Sequence, residues 1–384
     1  MINKYKAVFA VYQGFNMPMV QPYSIYIHIP FCRARCKYCA FSSNVDFGLQ
    51  QAYFDKLCSE IATAYAPVTD IKTLFVGGGT PTSVDGRYLV QVFDAVRKRF
   101  RLADDCEITC EANPESALAD KIRLLAELGV NRVSFGLQSV NDGTLAKIGR
   151  KHTYADFLRA MDNATAAGIT NVNADVIIGL PETHADFTRT LTTVTSLPLT
   201  HLSMYALEIY PDTPMWQIRD ECPTDEDYLA DLYDEGVATF AAAGFVRYET
   251  SNFARDGKQC RHNLNYWREG HYYGFGASAS GFVGNVRYTN ARSIADYIAA
   301  DNIRVEQENE SLTEQAREYA MLALRLDEGV DEALFERRYG KPFSEFFPAA
   351  TKLLADGFLE NVGGHIRIPA DKVYVANSIL ELLL

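Results

Sequence analysis

No stretch of this 384-residue chain approaches the roughly 20 consecutive apolar residues that a bilayer-spanning helix needs, so no transmembrane segment is expected. Positive charge is also scarce. The 37 Lys and Arg face 49 Asp and Glu, a formal net charge of −12. Nucleic acid demands concentrated basic side chains and is therefore not expected as the main partner. The apolar stretch from Ala7 to Tyr12 is too short for a secretory core and lacks a convincing cleavage site. The thiols are accordingly expected to stay reduced, in the cytoplasm, without disulfides. Internal repeats and low-complexity tracts are missing. What remains is ordinary globular composition, 48% hydrophobic and 22% charged, at a length suited to one large domain plus a smaller one. Residues 1–21 read as a loose N-terminal extension, in which Met17 and Met19 offer alternative starts just before the first strand.

Cys32, Cys36 and Cys39 form Cys-x3-Cys-x2-Cys directly after the alternating run Tyr23 to Pro30, which predicts a β-strand. An iron–sulfur cube is normally held by four thiolates. Three from one loop can hold three irons and leave the fourth open to another ligand. A structural zinc site wants four ligands, usually in two separated pairs. The chain has no second Cys-x2-Cys, and the nearby His28 lies in the strand. Cys58, Cys106, Cys110, Cys222 and Cys260 are scattered and read as small buried hydrophobes.

From Tyr23 to about Ala243 strand-like and helix-like segments alternate. The strand candidates are residues 23–30, 73–77, 107–112, 132–138, 171–179 and 201–207. Between them lie periodic segments such as Asp120 to Leu128, stopped by Gly129. Repeated βα units imply a parallel sheet, as a partial barrel or as an open doubly wound sheet. Polar residues sit where a buried parallel strand should be apolar. Gly77 to Pro81 end the second strand, Glu111 the third and Gln138 the fourth, while Asp175 lies in the fifth. The C-terminal ends of successive barrel strands make a functional rim, and the cysteine loop emerges on the same side.

After Gly244 the pattern changes. Residues 245–252 and 281–289 read as strands around an aromatic, glycine-rich stretch from Cys260 to Gly276. Helices are expected over 313–325, 331–339 and 343–356. A hairpin is expected over 359–368 around Gly363-Gly364, a winged-helix-like module without a basic stripe.

These residues together resemble the radical S-adenosylmethionine (SAM) superfamily. Within it they resemble the subgroup containing oxygen-independent coproporphyrinogen III dehydrogenase and the haem chaperones. The similarity is carried by Tyr26-Ile-His-Ile-Pro-Phe-Cys32, Gly77-Gly-Gly-Thr-Pro81, Glu111-Ala-Asn-Pro114, Arg132-Val-Ser-Phe-Gly-Leu-Gln138, Asp175 with Gly179-Leu-Pro181, and Leu324-Arg-Leu326 before Glu328-Gly-Val330. It implies an α/β fold, a partial (β/α)6 TIM-like barrel, over 22–243. Connecting strands with a haem-motif region would cover 244–310, and a small α+β module 311–384.

The resemblance implies that Cys32, Cys36 and Cys39 hold a [4Fe–4S] cluster. Tyr26, Tyr38, Gly78, Gly79, Thr80, Glu111, Gln138, Arg150 and Asp175 would surround SAM. Each has a plainer alternative. The tyrosines could simply pack, the glycines could make a tight βα turn, and an arginine among Lys147 to Lys151 is commonly a solvated charge. The implied chemistry is one-electron chemistry supplied by the cofactor.

One position departs from the dehydrogenase pattern, which continues to a fourth cysteine where this chain has Phe41. Phenylalanine offers no thiol, charge or proton. Phe41 and the run Arg261-His-Asn-Leu-Asn-Tyr-Trp267 are similar to the haem chaperone branch, in which His-Asn-x-x-Tyr-Trp is associated with haem. The expected function is haem delivery to an acceptor protein, membrane-bound respiratory acceptors included, with an electron donor serving the cluster. The alternative is conversion of two propionates of coproporphyrinogen III to vinyl groups. His262 is the candidate iron ligand, and His271 competes with it.

Overall fold

A computed structural model describes residues 23–66 and 69–384; the expected N-terminal extension, with Met17 and Met19, lies outside them. Six parallel strands follow one another in sequence order: β1 (Tyr23–Ile29), β2 (Ile71–Gly78), β3 (Leu102–Ala112), β4 (Arg132–Gln138), β5 (Asn171–Ile178) and β6 (His201–Ala206). They build the partial barrel. The pleat sends alternate residues to opposite faces. Ile25, Ile27, Ile29, Leu74 and Val76 pack outward in the main core with Phe54, Leu57 and Ile61 of the helix Gln50–Thr63. The opposite residues, among them Ser24, Thr73, Glu107, Arg132, Asn173 and His201, are buried and polar. Several of them bond one another, as Thr73 does to Ser24 at 2.7 Å. Asn173 donates to Ser134 at 2.7 Å and to Asp175 at 2.8 Å, while its Oδ1 lies 2.6 Å from His201 Nδ1.

The helices between strands start where their sequences say. Thr153/Asp156 and Thr183/Asp186 form reciprocal capping boxes ahead of Tyr154–Ala166 and His184–Ser196. The helix expected over 120–128 spans Ala119–Glu127 and stops before Gly129, whose φ is +83°.

The sheet continues beyond the six parallel strands. β7 (Val246–Glu249) and β8 (Asn252–Ala254) form a hairpin whose second strand pairs antiparallel with β6. At the other edge β9 (Tyr272–Phe275) runs parallel to β1. Antiparallel β10 (Ser280–Val283), β11 (Val286–Asn290) and β12 (Arg304–Asn309) complete twelve strands. Three expectations need correction here. The segment 245–252 is interrupted because Glu249 turns its carboxylate onto the Ser251 N–H at 3.0 Å. The segment 281–289 is two strands, reversed at Gly284 with φ +69°. β12 was not expected, since its six residues are all exposed and show no apolar alternation.

Within the aromatic stretch lies a helix, Arg261–Trp267. Its first N–H groups donate to Glu107 at the base of β3, Arg261 to Oε2 and His262 to Oε1, each at 3.0 Å. A carboxylate there satisfies otherwise orphaned donors and complements the helix dipole. The helix therefore closes the N-terminal end of the barrel.

The C-terminal module contains Leu312–Ala323, Glu332–Tyr339, Phe343–Phe346, Ala349–Ala355 and the terminal helix Ala376–Leu383. A small sheet joins β13 (Val330–Asp331), β14 (Glu360–Val362) and β15 (His365–Arg367). The hairpin stands where expected. The single helix expected over 343–356 is broken at Phe347-Pro348, because proline has no N–H to continue the ladder. Phe335 centres the module among Tyr339, Phe343, Phe346 and Phe347. Tyr339 donates to Glu269 at 2.7 Å and Arg268 pairs with Glu328 at 2.8 Å, fastening the module to the barrel base.

Candidate functional site

The cysteine loop is tied down by its backbone. Cys32 N–H donates to Asn44 O, Lys37 N–H to Ile148 O and Met215 N–H to Lys37 O, each at 2.9 Å. Two segments distant in sequence, at Ile148 and Met215, and the chain just past the loop at Asn44 therefore hold a loop that has no regular structure. Cys32, Cys36 and Cys39 face a cavity of about 480 Å³ at the C-terminal ends of the strands. Cys32 Sγ lies 3.5 Å from Thr80 Oγ1, and Arg150 Nη1 donates to Cys36 Sγ at 3.4 Å. Burial pushes the Cys32 and Cys39 thiols up from their ordinary values. Three soft sulfur donors on one loop, with a guanidinium against one of them, fit a cluster that carries negative charge.

The walls come from the strand ends. Gly78 has φ +109°, and a Cβ there would stand 2.6 Å from the His28 ring. A Cβ on Gly77 would meet the Glu111 carboxylate at 2.8 Å. The glycines are thus required first by the protein's own side chains. Glu111 accepts from the Gly78 N–H at 3.0 Å, and burial, then Asp175, pushes its carboxyl up to about 7. Asp175 is also raised, chiefly by burial, against the opposing bonds from Asn173 and Ser203. Gln138 adopts φ +70°, rare for a residue with a side chain, and its buried Oε1 has no hydrogen-bond partner among the described residues. Such strain is typically retained at functional sites.

Arg150 is no surface charge. It is fully surrounded, donating to Asn113 Oδ1 at 2.8 Å, to the Gly136 carbonyl at 2.5 Å and to His152 at 3.3 Å besides Cys36. Tyr38 lines the cavity with its back against Leu145, Ile148 and Met215. Gly78, Gly79, Thr80, Glu111, Gln138, Arg150 and Asp175 line it too.

Tyr26 does not line the cavity. It lies beneath, its hydroxyl 3.0 Å from His28 Nδ1. His262 is at the far end of the barrel, 1% exposed and stacked on Phe75. Its Nδ1 is 2.7 Å from Thr73 Oγ1 and its Nε2 2.8 Å from the Tyr266 hydroxyl. Burial and Arg132 hold its imidazole down to about 3. Neither nitrogen is open to an iron in this conformation. His271 Nδ1 accepts from the Gly284 N–H at 2.8 Å, which leaves the ring proton on Nε2 and again no lone pair. Burial, then Arg338, lowers His271 to about 4.

Residue-by-residue reading missed Asn113, Ser134 and Tyr205, which also line the cavity. Asn113 joins Arg150 to Thr80, to whose hydroxyl it donates at 3.0 Å. Its position two residues past Glu111 at a strand end was the available signal.

Residues 26–194 match the Radical SAM superfamily and residues 311–370 match the HemN C-terminal domain. The chain is 35% identical to heme chaperone HemW of Escherichia coli, over 96% of this chain and all of that protein. It is 36% identical to heme chaperone HemW of Bacillus subtilis, over 94% and 99%. Among solved structures, coproporphyrinogen III oxidase (HemN) from Escherichia coli superposes with a TM-score of 0.84 at 23% identity, covering 98% of this chain and 93% of that one. At that identity the likeness is one of fold. No helix among the described residues is long and apolar enough to cross a membrane.

Proposed function

Because the chain belongs to the heme chaperone HemW family of the radical SAM superfamily, we propose that it carries haem to acceptor proteins. In this reading it binds a [4Fe–4S] cluster and SAM as resident cofactors. Cys32, Cys36 and Cys39 hold the cluster. Tyr38, Gly78, Gly79, Thr80, Glu111, Gln138, Arg150 and Asp175 surround SAM. Bound together, the cluster and SAM supply one-electron chemistry. The protein's own part is to orient and exclude water. Arg150 sets Cys36 against Asn113, Glu111 holds the β2 turn through Gly78, and Gln138 lines the cavity on a strained backbone.

The observation that carries the chaperone reading over the oxidase reading is Phe41. It lines the mouth of the cavity two residues past Cys39 and is 71% exposed, so the position offers no thiol to a substrate. Unpaired thiol ligands need a reducing compartment, which supports a cytoplasmic carrier with an electron donor docking at this end. His262 and Tyr266 are read as the plug of the barrel base.

Anaerobically reconstituted protein tests the proposal. Stoichiometric haem binding followed at the Soret band, without conversion of coproporphyrinogen III, is the expected result. Absence of haem binding refutes it. Propionate-to-vinyl conversion with matching 5′-deoxyadenosine release establishes the oxidase instead.

A further inference from the structure

Arg150 is held from behind by a buried residue that does not line the cavity, His152. An arginine presents its N–H donors in one rigid plane, so its direction is set by where that plane is anchored. Nη2 donates to Asn113 Oδ1 at 2.8 Å and to the Gly136 carbonyl at 2.5 Å. Both bonds leave from one nitrogen, about which the plane can still pivot. Nε donates to His152 Nδ1 at 3.3 Å, a second anchor on another corner of the plane. With both anchors made, Nη1 points at Cys36 Sγ, 3.4 Å away.

His152 is itself fixed. Its Nε2 lies 3.2 Å from the Leu137 carbonyl. A carbonyl only accepts, so Nε2 carries the proton and Nδ1 keeps the lone pair that faces Arg150. Burial, above all, lowers the imidazole's pKa against the pull of Glu115, whose carboxylate stands 3.7 Å from Nδ1, and the charge of Arg150 lowers it further. The ring is therefore neutral. Arg150 and His152 together take two successive carbonyls at the end of β4, Gly136 and Leu137, where the register with β5 shifts between Gly136 and Gln138. The residues just before them grip the cysteine loop. The Ile148 carbonyl accepts from the Lys37 N–H, and a Cβ on Gly149 would stand 3.3 Å from the Lys37 backbone nitrogen. One short stretch, Ile148 to His152, thus joins the loop, the strand end and the guanidinium.

Resting on the reading of Cys32, Cys36 and Cys39 as cluster ligands, we propose that His152 is a positioning residue that sets the cluster's reduction potential by aiming Arg150 at Cys36. Hydrogen bonds to ligand sulfurs and nearby net charge are among the levers that set such potentials. A cation donating to Cys36 Sγ stabilises the reduced cluster, which carries one more negative charge, over the oxidised one. The guanidinium exerts this bias only while Nη1 points at the sulfur, and the imidazole keeps it there. A neutral histidine suits the task. It accepts from the cation at one nitrogen, donates to a carbonyl at the other and adds no charge of its own. His152 itself takes no electron and gives up no proton.

The test is a reductive titration of full-length, anaerobically reconstituted protein with dithionite and mediators, the reduced cluster being counted by its electron paramagnetic resonance signal. The variants are His152→Gln, His152→Asn, Arg150→Lys and Arg150→Lys with His152→Gln. Glutamine can reach the Leu137 carbonyl as Nε2 does but offers Arg150 no acceptor at the Nδ1 position. Asparagine places its Oδ1 at that position and restores the acceptor. His152→Gln should lower the equilibrium constant for cluster reduction about tenfold, the weight of one charge-assisted hydrogen bond, which is about 59 mV for one electron. His152→Asn should stay near the wild-type potential. On the Arg150→Lys background, His152→Gln should change nothing further. An unchanged potential in His152→Gln, an equal fall in His152→Asn, or an equal fall on both Arg150 backgrounds overturns the proposal. A second measurement needs no folded variant. Nitrogen-15 resonance of ring-labelled histidine, read on the oxidised wild-type protein at pH 7, should show His152 protonated at Nε2 and bare at Nδ1; a proton on Nδ1 also overturns the proposal. A wild-type protein that takes up no cluster overturns the cofactor reading itself.

Discussion

Replacing Glu111 with Gln should remove a pH dependence that the structure builds into the barrel. The carboxyl is buried beside Asp175, and its pKa rises from 4.5 to about 7. Between those values the folded chain keeps the Glu111 proton and the unfolded chain has lost it. The folded state is therefore favoured at the acid end, loses stability as pH rises through that window, and levels off above it. At roughly 1.36 kcal/mol per pH unit the full effect is about 3 kcal/mol. Glutamine keeps the shape and can still accept from the Gly78 N–H, but it cannot titrate. Glu249, pushed up to about 7, and Glu269, pushed up to about 8, titrate in both proteins and cancel in the comparison. The assay is urea unfolding of the cluster-free protein, followed by tryptophan fluorescence at intervals from pH 5 to pH 8. Glu111→Gln should gain about 2.5 kcal/mol on the wild type across that range, the rest of the effect lying below pH 5. A difference that stays constant, or that grows in the opposite direction, refutes the burial argument.

Cys36→Ala should abolish cluster assembly, seen as loss of the broad iron–sulfur absorbance, with far-UV circular dichroism unchanged; normal cluster content would contradict the ligand assignment. Gly78→Ala forces a Cβ to 2.6 Å from the His28 ring at φ +109°. It should cost about 2–4 kcal/mol in urea unfolding, of which His28→Ala recovers only the steric part. Arg150→Lys keeps the charge but loses the fork that spans Cys36, Asn113 and the Gly136 carbonyl. Binding of a SAM analogue should weaken about tenfold by calorimetry. Glu107→Ala leaves the first N–H groups of the basal helix unsatisfied and should cost about 1–3 kcal/mol, read as a lower urea midpoint.

Much of the rim was legible without coordinates. A βα repeat sends every strand C-terminus to one side, so Cys32, Thr80, Glu111, Gln138 and Asp175 had to gather there once the strands were placed. Arg150 illustrates the boundary. Its position near the end of a short helix says nothing about burial, and only the packing of β4 against the cysteine loop turns it inward. The irregular strands after Gly244 were harder, because β12 pairs through its backbone while its side chains carry no pattern.

By itself the sequence determined the thiol triad, the order of the strands and the missing fourth cysteine, since these are properties of covalent spacing. Tertiary structure decided which polar groups are open. Tyr26 is one hydrogen bond below the cavity, and His262 is closed by Thr73, a residue 189 positions away. A nitrogen's availability depends on what long-range packing brings against it, and no local spacing encodes that.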